Sequence, residues 1–363
     1  MPRRSTVFTL PPEAFEEIWK QMEVGDLFTL STCSERSFDL VKNSVHRYKS
    51  PEFENPFVLS VSFDSMGSVS LEYEENSEVV WYFNGKRESE RFEMEDKPQR
   101  SVKMDCGQYN ETTIVFRQYY ILSHCYKIFV ENHIQKMLQF VEHVSTLFNA
   151  SVKKLRVAPE ATDHLEAIQS VPILKKCAEL EIYSSAGMSS GTISHEAMRL
   201  VVEGFDCEKV ILICSFDRHF TLPLECSCEY LYLYNNQVTD QHLNVYLHQW
   251  VQSTYKKPAG LMITARGIRN NCGQYGIYDD ECSREPGTAA SRKECWDLRE
   301  IAQGLSSYVI NYSKKENCVI FQRQTDGMLL RLQIFYESWG PILHLSDNRK
   351  DHWSYRRVAI AKQ

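Results

Sequence analysis

His124 and Cys125 are the two side chains whose types come closest to nucleophilic chemistry, because an imidazole beside a thiol can draw off its proton and leave a thiolate. They sit in a strand-like stretch, where adjacent residues point to opposite faces, so adjacency here does not make a dyad. Cys226 and Cys228 form a second close pair, but no further pair stands at zinc-finger spacing. Cys272, Cys282 and Cys295 are too far apart to read as a ligand set. Carboxylates gather in runs such as "RESERFEMEDKPQR" (87–100), the composition of a solvated loop. Glycine-rich phosphate loops, a GxSxG elbow and an HExxH helix are absent from the sequence. No catalytic residue, metal or cofactor is therefore assigned, and nothing positive marks the chain as an enzyme.

The 363 residues suffice for about two domains at roughly 150 residues each. A hydrophobic share of 43% and a charged share of 25% are those of an ordinary globular protein. The formal net charge of −7 gives no sign of a nucleic-acid or polyanion binder. No apolar run reaches the ~18 residues of a membrane span. Pro11, Pro12, Glu13, Glu16 and Glu17 break up what would be a signal-peptide core. These features predict a cytoplasmic or nuclear protein whose twelve cysteines are mostly buried thiols.

The first 50 residues read as three short helices. In "LPPEAFEEIWKQM" (10–22), Phe15, Ile18, Trp19 and Met22 make one apolar face after prolines suited to a first turn. Gly25-Asp26 is expected as a turn and cap, with Leu27, Leu30 and Cys33 as the second stripe. Ser34 is placed to cap a third helix carrying Phe38, Val41 and Val45. "YKSPEFENPF" (48–57) reads as a linker. From 57 to 85 the period becomes two, which predicts an antiparallel meander. "ETTIVFRQYYIL" reads as a further strand, and a helix is expected within 127–149.

Five strand-like cores then recur loosely, marked by Leu155, Leu180, Ile211, Leu231 and Leu261 at steps of 25, 31, 20 and 30 residues. Strand–helix units at this period predict parallel strands of the leucine-rich kind. In "NNQVTDQHLNVYLHQWVQ" (235–252), Leu243, Tyr246, Leu247, Trp250 and Val251 form a helical stripe behind Thr239 as N-cap. Such a stripe packs a core. The tail starts with a helix from about 288 and continues as three strands, with a hairpin turn at Asp326-Gly327. The expected fold is α+β to α/β: 4–50 helical, 51–150 a β-rich meander plus helix, and 151–363 leucine-rich-like with a C-terminal helix and hairpin.

Residues 10–41 resemble an F-box, through Leu10-Pro11, Ile18, Met22, Asp26-Leu27, Leu30-Ser31, Cys33-Ser34 and Val41. The 235–252 stretch resembles the nematode-type F-box-associated domain (type 2), through Val238-Thr239, Leu243-Asn244, Tyr246-Leu247 and Trp250-Val251. Val238, His242 and Ser253 stand where that family usually has leucine, an acidic residue and glycine. "FQRQTDGMLLRLQI" is similar to the family's late Arg…Asp-Gly hairpin.

The resemblance implies a substrate-recognition subunit of a Skp–cullin–F-box ubiquitin ligase. Leu10, Pro11, Phe15, Ile18, Met22, Leu27, Leu30 and Val41 would meet the Skp adaptor, and the C-terminal domain would hold a target protein. The thioester and zinc chemistry of ubiquitin transfer would belong to other subunits, and neither nucleic acid nor membrane is an implied partner. The rival readings are a helical cap on the chain's own C-terminal domain, a leucine-rich-like scaffold without a ligase, and a cytosolic enzyme.

Overall fold

The computed structural model describes residues 14, 17, 18, 21–48, 57–64, 67–74, 77–85, 101–104, 113–120, 123–130, 132–183, 192–216, 221–223, 226–234, 238–253, 260–264, 296–337 and 340–347. The fold is mixed α/β, with a large mixed sheet and several helices. Two compact units divide it: Met1–Arg156 with Ser170–Cys177, and Val157–Gln169 with Ala178–Gln363.

The first unit opens with helices α1 (Val24–Ser31) and α2 (Glu35–Tyr48). Strands β1 (Val58–Phe63), β2 (Ser68–Glu74), β3 (Ser77–Gly85), β4 (Ser101–Met104), β5 (Thr113–Tyr120) and β6 (Ser123–Val130) follow, then α3 (His133–Phe148) and β7 (Ser151–Val157). Their order across the sheet is β7-β1-β2-β3-β6-β5-β4. The expected meander is present, since β1 pairs with β2 and β2 with β3, both antiparallel. Alternation then places every second side chain inward: Val61 opposite Val69, and Val69 opposite Trp81, form one buried row. The helix expected within 127–149 starts only at His133, because residues 123–130 are taken up as β6, parallel to β3. Asn132 caps α3 by accepting from Gln135 N–H, and Met137, Phe140, Val141, Val144 and Leu147 form its buried stripe. The charge run at 87–100 lies outside the described residues.

The chain continues through a 3₁₀ turn (Pro159–His164), α4 (Leu165–Gln169) and α5 (Pro172–Lys175), of which α5 belongs to the first unit. The second unit adds β8 (Glu179–Tyr183), β9 (Thr192–Ile193), α6 (His195–Gly204), β10 (Lys209–Ile213), β11 (Ser215–Phe216), β12 (Tyr230–Tyr234), α7 (Asp240–Gln252) and β13 (Gly260–Thr264). It ends with α8 (Leu298–Ile301), β14 (Val309–Ser313), β15 (Cys318–Gln322), β16 (Leu329–Glu337) and β17 (Gly340–Asp347). The order is β14-β15-β16-β17-β13-β12-β10-β8, with β9 and β11 paired separately.

Strands β8, β10, β12 and β13 are adjacent and parallel, as the recurring cores predict. The register corrects one marker. Val210, not Ile211, stands opposite Leu180 and Leu231, and Leu231 stands opposite Leu261. Ile211 pairs with Glu181 and Tyr232 on the other face and is half-buried. A second buried row runs Ile182–Leu212–Leu233–Ile263. Parallel strands need crossovers, and α6 and α7 provide two of them, each started by a hydroxyl cap: Ser194 accepts from Ala197 N–H and Thr239 from His242 N–H. The tail helix is shorter than expected within the described residues, at Leu298–Ile301, and a strand not foreseen, β17, joins β13 to β16 in antiparallel pairing.

A buried guanidinium fixes the β15–β16 hairpin. Arg323 Nε and Nη2 donate to Asp326 Oδ1 at 2.9 Å and Oδ2 at 2.6 Å, a bidentate fork. Its Nη1 donates to Ser253 Oγ at 3.2 Å, and its head lies 5.1 Å from the centre of the Trp250 ring. Gly327 turns the chain at φ 70°, a backbone conformation that L side chains resist. The hairpin is thereby tied to the C-terminal end of α7. Trp250→Ala and Arg323→Ala should each cost the second unit about 3–5 kcal/mol. Urea unfolding should show a smaller loss for the double variant than for the two added, because the side chains touch.

Candidate functional site

The side chains expected to meet a partner cluster at the N-terminal helices, and burial sorts them into three groups. Leu10, Pro11 and Phe15 lie outside the described residues. Ala14, Glu17, Ile18 and Gln21 have helical backbone, and Met22 N–H donates to Ile18 O at 3.1 Å. Ile18 is 41% exposed although apolar, and Met22 and Leu30 are half-buried. Leu27 and Val41, by contrast, are 2% and 0% exposed. Both pack into the core of their own chain.

The reason lies in how α1 starts. Gly25-Asp26 is not a turn: the helix begins at Val24, after Glu23 in extended conformation. Its buried stripe is therefore Val24, Leu27, Phe28 and Ser31, while Leu30 is half-buried and Cys33 exposed. Gly25 lies inside the helix, and a Cβ there would sit 2.1 Å from Tyr126 Oη of β6. Phe28 is the anchor. Its ring centre lies 5.1 Å from Trp81, 5.0 Å from Phe140 and 5.9 Å from His143. For α2 the Ser34 cap holds, since its Oγ accepts from Ser37 N–H at 3.1 Å, and Val41 and Val45 face inward.

His143 of α3 is the polar element of this contact. Its ring lies tilted against Phe38 with centres 4.8 Å apart, and its Nε2 is 3.2 Å from Ser31 Oγ. Ser31 gives its own proton to Phe28 O at 2.6 Å, so Nε2–H of the histidine must be the donor to Ser31. Burial among these rings disfavours the charged form and lowers the imidazole pKa from 6.5 to about 4.

In the second unit, the residues singled out in the 235–252 stretch have structural roles. Leu243, Tyr246, Leu247, Trp250 and Val251 are buried, and His242 completes a capping box by accepting from Thr239 N–H at 3.1 Å. Asn244 Nδ2 donates to the carbonyls of Ile301 and Gln303, and Trp296 Nε1 to that of Val238, lacing α7 to α8. Sequence reasoning missed both clasps, because nothing in spacing links positions more than 50 residues apart. Asn235 and Asn236 lie outside the described residues.

The thiols divide similarly. Cys177, Cys207, Cys214, Cys226, Cys228 and Cys318 are buried, and Cys226 and Cys228 bring their sulfurs to 2.7 Å. Burial pushes the Cys214 thiol up to about 12, away from nucleophilic use at neutral pH. Cys272, Cys282 and Cys295 lie outside the described residues, as do the side chains of His124 and Cys125, whose backbone runs in β6 opposite Val79 and Val80. Among the described residues no three of His, Cys, Asp and Glu are grouped to hold a metal ion, and no helix is long and apolar enough to cross a membrane.

Comparison with family models, with curated proteins and with solved structures finds no match to this chain.

Two measurements test the contact around Phe28. Gly25→Ala would favour an isolated helix by about 1 kcal/mol, yet in this chain it should destabilise the first unit, and Tyr126→Phe should recover part of the loss by removing the hydroxyl. Thermal unfolding of the three variants reads this directly. For His143 the folded pKa is the lower one, so its neutral form contributes fully above pH 6.5, and that stability is lost as pH falls from 6.5 toward 4. His143→Gln should flatten the first unit's stability across that window, and the His143 ring resonance should titrate near pH 4.

Proposed function

We propose that this chain is the substrate-recognition subunit of a Skp–cullin–F-box ubiquitin ligase, working in the cytosol or nucleus. The observation that carries the proposal is Ile18: a large apolar side chain left 41% exposed on the N-terminal helical segment, beside half-buried Met22 and Leu30. An apolar helix face of this kind seeks a groove. The order Leu10-Pro11, Ile18, Met22, Leu30 is the one an F-box presents to the Skp adaptor. Under this proposal the residues 10–41 form the three-helix F-box. Leu27 and Val41 hold its helices in place from inside, and the outward side chains make the contact.

The parallel strands of the second unit belong, in the same proposal, to an irregular leucine-rich-like F-box-associated domain that holds the target protein. No residue of this chain takes part in ubiquitin transfer. One observation favours a second reading: Phe28 seats α1 against Trp81 and Phe140, as a helical cap on the first unit would be seated. A cap of that sort needs no adaptor.

Capture of purified Skp adaptor separates the two. Ile18→Asp, Leu30→Asp, or Leu10→Ala together with Pro11→Ala should abolish capture while thermal unfolding stays as in the unaltered chain. Val41→Asp should instead unfold the first unit, since it places a charge in a closed core. Undiminished capture by all three of these variants, or no capture by the unaltered chain, would leave the helices as an internal cap.

A further inference from the structure

We propose that the outer edge of β14, with the lysine turn that follows it, docks an extended, acidic segment of a partner protein as an added strand. The inference goes beyond the ligase proposal and needs only the second unit.

Strand β14 is the outermost strand of its unit among the described strands and pairs on one side only, with β15. A strand edge offers a row of backbone donors and acceptors to any second extended chain. Proteins usually blunt such an edge with proline, charge or a covering element. The sequence of β14, "VINYS", contains neither proline nor charge. Its middle is open: Ile310 is 52% and Tyr312 46% exposed. Among the described residues Ile18, Val245, Ile310 and Tyr312 are the large apolar side chains more than 40% exposed, and the two most exposed belong to this five-residue strand.

A register irregularity between Val309 and Asn311 sets Ile310 apart at one end. Asn311, Tyr312 and Ser313 then run in regular pairing with Ile320, Val319 and Cys318, so the edge is straightest where it meets the turn. That turn carries Lys314 and Lys315, both exposed, while Glu316 beside them faces Arg331 of β16 at 3.7 Å. A basic tip on a chain of net charge −7 selects for carboxylates and against a second copy of the same acidic chain. The occupant that fits is an extended peptide with alternate apolar side chains for Ile310 and Tyr312 and acidic residues reaching the two lysines.

The test uses the full chain and a fluorescein-labelled peptide of alternating valine and glutamate, followed by anisotropy. Saturable binding that weakens with salt is expected. The Lys314→Glu, Lys315→Glu double variant and Tyr312→Asp should each weaken it about tenfold, with unfolding temperatures unchanged because all three positions are exposed. A version of the peptide with alternate backbone nitrogens methylated should not bind, as it cannot complete the strand. The proposal is overturned by absence of saturable binding up to about 1 mM, by equal binding of a valine–lysine peptide, or by equal binding of the variants. It is likewise overturned if light scattering shows a dimer that the same substitutions dissociate. Adaptor capture by the β14 variants should be unaltered, so failure here is separable from failure of the ligase proposal.

Discussion

The contact on which the first unit depends is the seating of Phe28 against Trp81 and Phe140. It couples a helix from the start of the chain to the middle of a sheet and to α3 in one aromatic cluster, with Leu27 and Val41 closed beside it. Burial of a side chain of this size is worth roughly 1.5–3 kcal/mol, so the helices are held by their own chain before any partner arrives. A helix pair held in this way presents a fixed outer face. The opposite arrangement, helices waiting unfolded for an adaptor, would need part of the binding energy to order them. His143 makes the contact selective as well as apolar, because its Nε2–H must find Ser31 and its ring must stay neutral.

The second unit solves a different problem. Its two apolar rows, Leu180–Val210–Leu231–Leu261 and Ile182–Leu212–Leu233–Ile263, bury one side of four parallel strands. Where the parallel run stops, β17 pairs antiparallel with β13 and carries the inward row onward, Leu261 opposite Leu345 and Leu345 opposite Leu332. The connection between α7 and the β15–β16 hairpin is made where the Arg323–Asp326 fork sits over Trp250. Ser253, just after α7, is a further partner of that guanidinium.

Much of this was legible in the residues. Period-two alternation located β1–β3, the recurring cores located β8, β10, β12 and β13, and Ser34 and Thr239 marked their helix starts. What spacing could not convey was which of two neighbouring apolar residues faces in. "KVILI" is apolar at four successive positions, so Ile211 and Val210 are equivalent by pattern, and pairing with Leu180 and Leu231 decides between them. The same holds for α1, where Gly25 reads as a helix breaker until close approach to Tyr126 explains it. "SHCYKIFV" overlaps the start of the window in which a helix is expected, and its alignment along β3 takes it up as a strand. Among the apolar residues of the N-terminal helices, spacing conveys apolar character but not its direction: Ile18 is exposed, whereas Leu27 and Val41 are enclosed.

The Phe28 cluster also fixes an order of events during synthesis. Ser31 and His143 are 112 residues apart, and the same interval separates Phe28 from Phe140. When α1 leaves the ribosome, Trp81 has not yet emerged, and α3 follows only after the whole β-rich stretch. The apolar stripe of α1 is thus uncovered for the time needed to add roughly a hundred residues, several seconds or more at cellular elongation rates. Native contacts of such long sequence separation also form slowly once the residues exist. The stripe that carries Phe28 is therefore one that a nascent chain must protect by other means, and an early-binding chaperone would meet Phe28 before the sheet does.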